Sequence, residues 1–204
     1  MGKNRLETFF DGVVAIIITI MVLEMKVPHG ATPQVLLPVL PVFLSYLLSF
    51  LYLGIYWNNH HHMLYVCGKV TGPILWANLH LLFWLSLIPF TTGWMGENHF
   101  ATLPAALYGL VLLMAAIAYW ILQQRIIASQ GSTSLLRRAI GNDWKGKLSP
   151  LLYALAIGLA FLSARAAIAI YVFVALMWLV PDRRIERVVL QPVEPGAGGD
   201  TADP

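Results

Sequence analysis

Long apolar runs, three of them free of formal charge over more than twenty residues, leave this chain almost no way to fold in water. Val35–Trp57 and Phe100–Gln124 carry no charged side chain, and Val70–Met95 carries none either, although Asn78 and His80 lie within it. A helix needs about 20 residues to cross roughly 30 Å of hydrocarbon, and each run meets that length. Only 11% of the 204 residues are charged while 58% are hydrophobic, and mean hydropathy is +0.71. A soluble domain of this size carries about a quarter charged residues to cover its surface. Lipid must replace the missing polar surface. The expected class is an all-α, multi-pass membrane protein with no soluble domain large enough to fold alone.

Two further segments complete the count. A first span is expected over Thr8–Val27, interrupted by Asp11 near its start and by Glu24 and Lys26 near its end. The stretch Leu148–Pro181 holds one charge, Arg165, and as a single helix would reach about 51 Å at 1.5 Å per residue. That is too long for one crossing without strong tilt, so it divides into Leu148–Ser163 and Ala166–Val180 around a tight turn at Arg165. Six spans result. With both termini in the cytoplasm, eleven of the thirteen basic residues fall inside and only Lys26 and Arg165 outside. A five-span arrangement would move Arg183, Arg184 and Arg187 outside, against the positive-inside rule. Residues 1–190 are therefore expected to form one six-helix membrane domain. Gln191–Pro204, rich in Gly, Pro and Asp, reads as a disordered cytoplasmic tail. The basic loop Gln124–Lys147 is expected on the cytoplasmic membrane surface.

The pI near 9.1 belongs to these cytoplasmic loops rather than to a nucleic-acid surface. No cleavable signal peptide is read at the N-terminus, because the first apolar run contains Asp11 and lacks a small-residue cleavage site. One cysteine, Cys67, excludes an internal disulfide.

The first helix carries the unusual chemistry. A carboxylate inside an apolar span costs about 2.5–3.5 kcal/mol at the bilayer centre and less near its edge. Asp11 therefore has to face protein or water. Two roles fit it: an anchor or lining group of an ion path, or an interfacial carboxylate hydrated at the cytoplasmic rim. Arg5 lies six residues earlier, too far for an i,i+4 pair, so a partner is sought on another helix. At 100° per residue, Phe9, Ile16, Ile20, Leu23 and Val27 fall on one stripe, with Gly12, Val13 and Thr19 at its edges. Periodicity leaves open whether that stripe faces lipid, a neighbouring helix or a pore.

Arg5-x-x-x-Phe9-Phe10-Asp11 ahead of an apolar helix resembles the signature of the transmembrane protein 175 family of potassium channels, Arg-x-x-x-Phe-Ser-Asp at the start of the first helix. Tyr56-Trp57-x-x-His60-His61, Asn78 and Pro89-Phe90 agree with it, and the resemblance covers roughly Arg5 to Arg187. Phe10 stands where the family has Ser, so packing is expected to replace one inter-helix hydrogen bond. The resemblance implies a bacterial homotetramer in the cell inner membrane, with the first helices of four chains around a central pore and K⁺ as the permeant ion. Carried over by position, Ile16 forms the tightest ring, Thr19 lies just beyond it, and Ile20 and Leu23 form rings farther out. Arg5, Phe9, Phe10, Asp11, Trp57, His60, His61 and Asn78 are expected to anchor that helix. A ring of Ile side chains gates by dewetting. Selectivity then rests on dehydration, which costs less for K⁺ than for Na⁺, and a modest preference for K⁺ is expected.

Other chemistries are weaker. His60-His61-His62 with Cys67 suggests a metal, but adjacent helical residues point about 100° apart and cannot share one ion. No metal and no cofactor are expected. Only His80 of the histidines lies within a span, where a heme would need a facing pair. Asp11 and His80, expected at different depths, make no catalytic pair, so no enzyme is read here. A secondary transporter, which would show an internal repeat with broken helices, and a non-conducting structural subunit remain the alternatives.

Overall fold

The computed structural model describes residues 2–131, 134, 136–137 and 143–179, and every described element is helical. Helix α1 runs Lys3–Leu23. A 3₁₀ segment, Pro33–Val39, leads directly into α2, Leu40–Tyr65. Helices α3, Gly72–Ser86, and α4, Ile88–Glu97, form one bent rod. Then come α5, Thr102–Gln130, α6, Trp144–Ala160, and α7, Ala164–Leu179. Counting α3–α4 once gives six rods among the described residues. Four of them are long and apolar enough to cross a membrane, while α6 and α7 are shorter.

The boundaries differ from the expected spans for local reasons. Helix α1 starts at Lys3 because its first polar residues are tolerable helix formers, and it ends at Leu23, not at Val27. The Glu24 amide closes it by donating to the Ile20 carbonyl at 3.0 Å. Val27 is therefore off the helical stripe. Helix α2 continues eight residues past Trp57 because its polar residues find internal partners: the Asn59 amide donates to the Ile55 carbonyl at 2.9 Å, and His60 turns inward. The expected single span Val70–Met95 is broken at Leu87. Pro89 there lacks an N–H and crowds the carbonyl four residues back. Helix α5 runs past Gln124 to Gln130, taking up the start of the expected loop. The turn between the last two helices is Phe161–Ser163, with the Ser163 amide on the Leu159 carbonyl at 2.8 Å; Arg165 sits in the first turn of α7. Arg183, Arg184, Arg187 and the expected tail at Gln191–Pro204 lie outside the described residues.

Helix α5 is the spine, packing against α3 and α6, while α6 and α7 form a hairpin beside it and α2 lies on α4. One apolar core joins α1, α3, the second half of α2 and the second half of α5. A second joins the first halves of α2 and α5 to α6 and α7. Several buried polar groups are paired across it, as a low-dielectric interior favours. Ser49 meets Thr92 at 2.6 Å and Tyr108 at 3.0 Å. The Tyr52 hydroxyl donates to the Tyr171 carbonyl at 2.6 Å, and the Tyr171 hydroxyl donates to the Ala105 carbonyl at 3.2 Å.

Gly109 makes that last contact possible, because a β-carbon there would overlap the Tyr171 hydroxyl. Tyr171 is fully buried and has nowhere to retreat. Gly109→Ala is expected to destabilise the bundle by about 1–3 kcal/mol, the usual cost of overpacking. It should lower the thermal midpoint of the detergent-solubilised protein. An unchanged midpoint would mean that α5 and α7 do not meet this closely.

Candidate pore-lining helix and its anchor

Helix α1 is packed from one side only. Leu6, Phe10, Val14, Ile17 and Met21 are buried, a spacing of four, four, three and four that winds along one face. The opposite side leaves Phe9, Ile16, Thr19, Ile20 and Leu23 open, with Ile16 60% and Leu23 76% exposed. No charged residue lies between Asp11 and Glu24. The open face is thus a continuous strip of methyl and methylene groups broken only by the hydroxyl of Thr19. That hydroxyl donates to the Ala15 carbonyl at 2.8 Å. With its proton turned back to the helix, its oxygen keeps lone pairs free to accept from water or to face a cation.

The anchor sits at the other edge of the same helix, near its start. The Phe10 ring lies flat on the His60 imidazole, centroids 3.5 Å apart and planes within 7°. His60, buried, meets the Asn78 carboxamide oxygen through Nε2 at 2.7 Å, so α1, α2 and α3 are joined through three side chains. The second Asn78 group, Nδ2, is buried with no hydrogen-bond partner among the described residues. One turn on, the Trp57 indole N–H donates to an Asp11 carboxylate oxygen at 2.9 Å. The His61 ring stacks beside Trp57 at 6.4 Å. Asp11 itself is exposed at this rim.

Phe10, Asp11, Trp57, His60, His61 and Asn78 therefore come together, while Arg5 and Phe9 do not. Phe9 stands on the open face at 48% exposure. The Arg5 side chain is exposed and makes no hydrogen bond or ion pair among the described residues, while its backbone amide donates to the Gly2 carbonyl at 3.2 Å. A strap that the residue pattern did not reveal takes the place expected for Arg5. The Lys3 ammonium donates to the Tyr65 carbonyl at 2.9 Å and lies 5.4 Å from the Tyr65 ring centre. Its signal was hidden because hydropathy ends α2 at Trp57, eight residues short of Tyr65.

His80, His62 and Cys67 make local contacts. His80 accepts from the Trp84 indole N–H at 3.0 Å. His62 lies edge-on to His61. Burial pushes the Cys67 thiol above its ordinary value, which keeps it protonated, and its sulfur donates to the Lys69 carbonyl. Among the described residues no three His, Cys, Asp or Glu side chains converge as metal ligands would.

Trp57→Phe keeps the aromatic packing and deletes the indole donor to Asp11. It is expected to cost about 1 kcal/mol, the net worth of one such hydrogen bond, read as a small drop in the unfolding midpoint with the oligomer intact. No change would leave Asp11 held by water alone.

Comparison with known proteins points in one direction. The family model described as "Endosomal/lysosomal potassium channel TMEM175" matches residues 5–89. A potassium channel of Chryseobacterium sp. (strain P1-3) is 56% identical over 187 residues, 92% of this chain and 97% of that protein. A potassium channel of Streptomyces collinus is 32% identical over 195 residues, covering 86% of this chain and 91% of the other. The crystal structure of a lysosomal potassium-selective channel TMEM175 homolog from Chamaesiphon minutus superposes with a TM-score of 0.74 at 26% identity, over 88% of this chain and 97% of that one.

Proposed function

The chain belongs to the TMEM175 potassium channel family, and from that premise we propose that it conducts K⁺ through a pore lined by α1. It is a membrane channel protein and not an enzyme. The finer reading is a homotetramer in the bacterial inner membrane, both termini cytoplasmic, with four copies of α1 around the axis. One observation carries it: α1 is packed on its own bundle along Leu6, Phe10, Val14, Ile17 and Met21, flanked by the partly buried Val13 and Ile18, and its uncharged opposite face is left open.

In this arrangement Ile16 closes the pore. Four isoleucine side chains meeting at a narrow ring exclude water, and an ion cannot cross without shedding its shell. Thr19, one turn beyond, offers oxygen lone pairs where dehydration is partly complete. Ile20 and Leu23 extend the apolar path toward the outside. The middle of α1 carries neither a carboxylate ring nor a filter of backbone carbonyls, so discrimination follows hydration energy. K⁺, the more weakly hydrated ion, passes more readily than Na⁺.

The phenylalanine at position 10 fits the same picture. Where the family motif carries a hydroxyl, this chain stacks a ring on His60, and the helix is held by packing together with the Trp57–Asp11 hydrogen bond.

Purified protein in liposomes under opposed K⁺ and Na⁺ gradients is expected to pass K⁺ down its gradient without a coupled substrate, faster than Na⁺. Flux that required a second, counter-moving ion would overturn the channel reading in favour of a transporter.

A further inference from the structure

A pocket with no part in conduction lies among α2, α5, α6 and α7, at the end of the bundle where α1 begins. Its walls are aromatic: Tyr56, Tyr119, Trp120, Tyr153 and Trp178. Among the described residues, the single ionised side chain on those walls is Asp143. The interior offers about 50 Å³. A single water needs roughly 10–15 Å³ on this measure, so several waters or one small cationic group would fit.

Two observations say that the pocket is made for a polar occupant. Gln123 is 94% buried and borders the pocket, yet its carboxamide makes no hydrogen bond among the described residues. The Tyr56 hydroxyl, on a side chain that is buried, makes none either, and neither group is sealed from the pocket. Polar groups on buried side chains are nearly always satisfied, and here water or a polar guest in the pocket is what can satisfy them. The carboxylate is also positioned deliberately. Asp143 caps α6 by accepting from the Gly146 amide at 2.9 Å, and the glycine leaves room for the carboxylate to lie across it.

Aromatic faces around one carboxylate suit an ammonium group, through cation–π attraction and charge. Outside, the chemistry reverses. A contiguous groove of about 190 Å³ shares Trp120, Gln123, Asp143 and Gly146 with the pocket and adds Arg137 and Lys147. A negative group within and basic groups at the mouth match an ammonium followed by a phosphate. Trp120 and Trp144, each about half exposed at this end, mark the level of a membrane interface.

We propose that this pocket binds the headgroup of a zwitterionic phospholipid, with its ammonium against Asp143 and the aromatic walls and its phosphate at Arg137 and Lys147. Gln123 and Tyr56 hydrogen-bond the headgroup or the water it carries. The site does not depend on the pore reading, since none of these residues lies on α1.

The test is native mass spectrometry of the full-length protein, delipidated in detergent and offered phosphatidylethanolamine or phosphatidylglycerol with identical chains. Wild type is expected to retain phosphatidylethanolamine about tenfold better, the scale of one charge-assisted contact. Asp143→Asn keeps the helix cap and removes the charge, and should bring retention down to the phosphatidylglycerol level. Trp120→Leu, at a half-exposed position the fold does not need, should lower it about threefold. Equal retention of the two lipids by wild type would overturn the proposal, as would full retention by Asp143→Asn. Should that variant fail to assemble, Trp120→Leu decides: unchanged retention rejects the site. A thermal shift with soluble phosphoethanolamine equal to that with the lipid would reassign the pocket to a free metabolite and overturn the lipid source.

Discussion

Ile16→Asn is expected to raise single-channel conductance by roughly an order of magnitude and to bring K⁺/Na⁺ permeability down toward unity. The tightest ring of the proposed pore would change from four sec-butyl groups to four carboxamides, which hydrogen-bond water and keep the constriction wet. Removing about 1.4 kcal/mol from the barrier is enough for a tenfold change in rate. Both ions would then cross with their hydration largely intact, and the difference in dehydration cost on which selectivity rests would disappear. Ile16 is 60% exposed in the protomer, so no core packing is lost and the effect is read on conduction alone. Unchanged conductance and selectivity would remove Ile16 from the ion path.

The second large effect is structural. Phe10→Ala is expected to cost about 3–5 kcal/mol, the range for emptying a buried phenylalanine site. Phe10 is fully buried, and its ring is the surface on which His60 lies. Truncation opens a cavity between α1 and α2 and leaves one face of a buried, hydrogen-bonded imidazole without contact. The expected readout is loss of intact oligomer or a strongly lowered unfolding midpoint, while Phe9→Ala, on the open face, should be mild. Equal behaviour of the two variants would mean that α1 is not docked through Phe10.

Much of this was legible in the residues because the bilayer imposes such strict rules. Apolar runs are helical when lipid surrounds a chain like this one, and the 34-residue stretch around Arg165 was too long for one crossing without strong tilt. The structure places a turn at Phe161–Ser163, within four residues of Arg165. What hydropathy could not see were the ends. It stopped α2 at Trp57 because Asn58, Asn59 and His60 are polar, yet Asn59 bonds its own helix and His60 is enclosed by Phe10 and Asn78. It extended α1 to Val27 because apolar residues continue past Glu24, although the last helical hydrogen bonds close at Leu23 and Glu24. The break at Leu87 had a visible signal in Pro89, but a proline in an apolar run is compatible with either a kink or a continuous span.

For the anchor, the residue types were legible and their pairing was not. Asp11 needed a partner on another helix, and an indole N–H at Trp57 supplies it. Stacking of Phe10 on His60, and the strap from Lys3 to the carbonyl of Tyr65, depend on how α1 and α2 cross. No spacing within one helix encodes that. The open strip on α1 emerged from periodicity as one stripe among several, and only the burial of the opposite face distinguishes it.

The most direct test of the account is thiol modification of neighbouring residues at the end of α1. Leu23 and Val22 are both exposed, but successive helical residues point about 100° apart, and only Leu23 lies on the proposed pore face. The native Cys67 is buried, so wild-type channels should ignore a charged, membrane-impermeant methanethiosulfonate reagent. The account predicts that the reagent abolishes most of the K⁺ current through Leu23→Cys channels and leaves Val22→Cys channels unaffected. Block at Val22 with Leu23 indifferent would contradict it, because the ions would then be passing along another face of the helix.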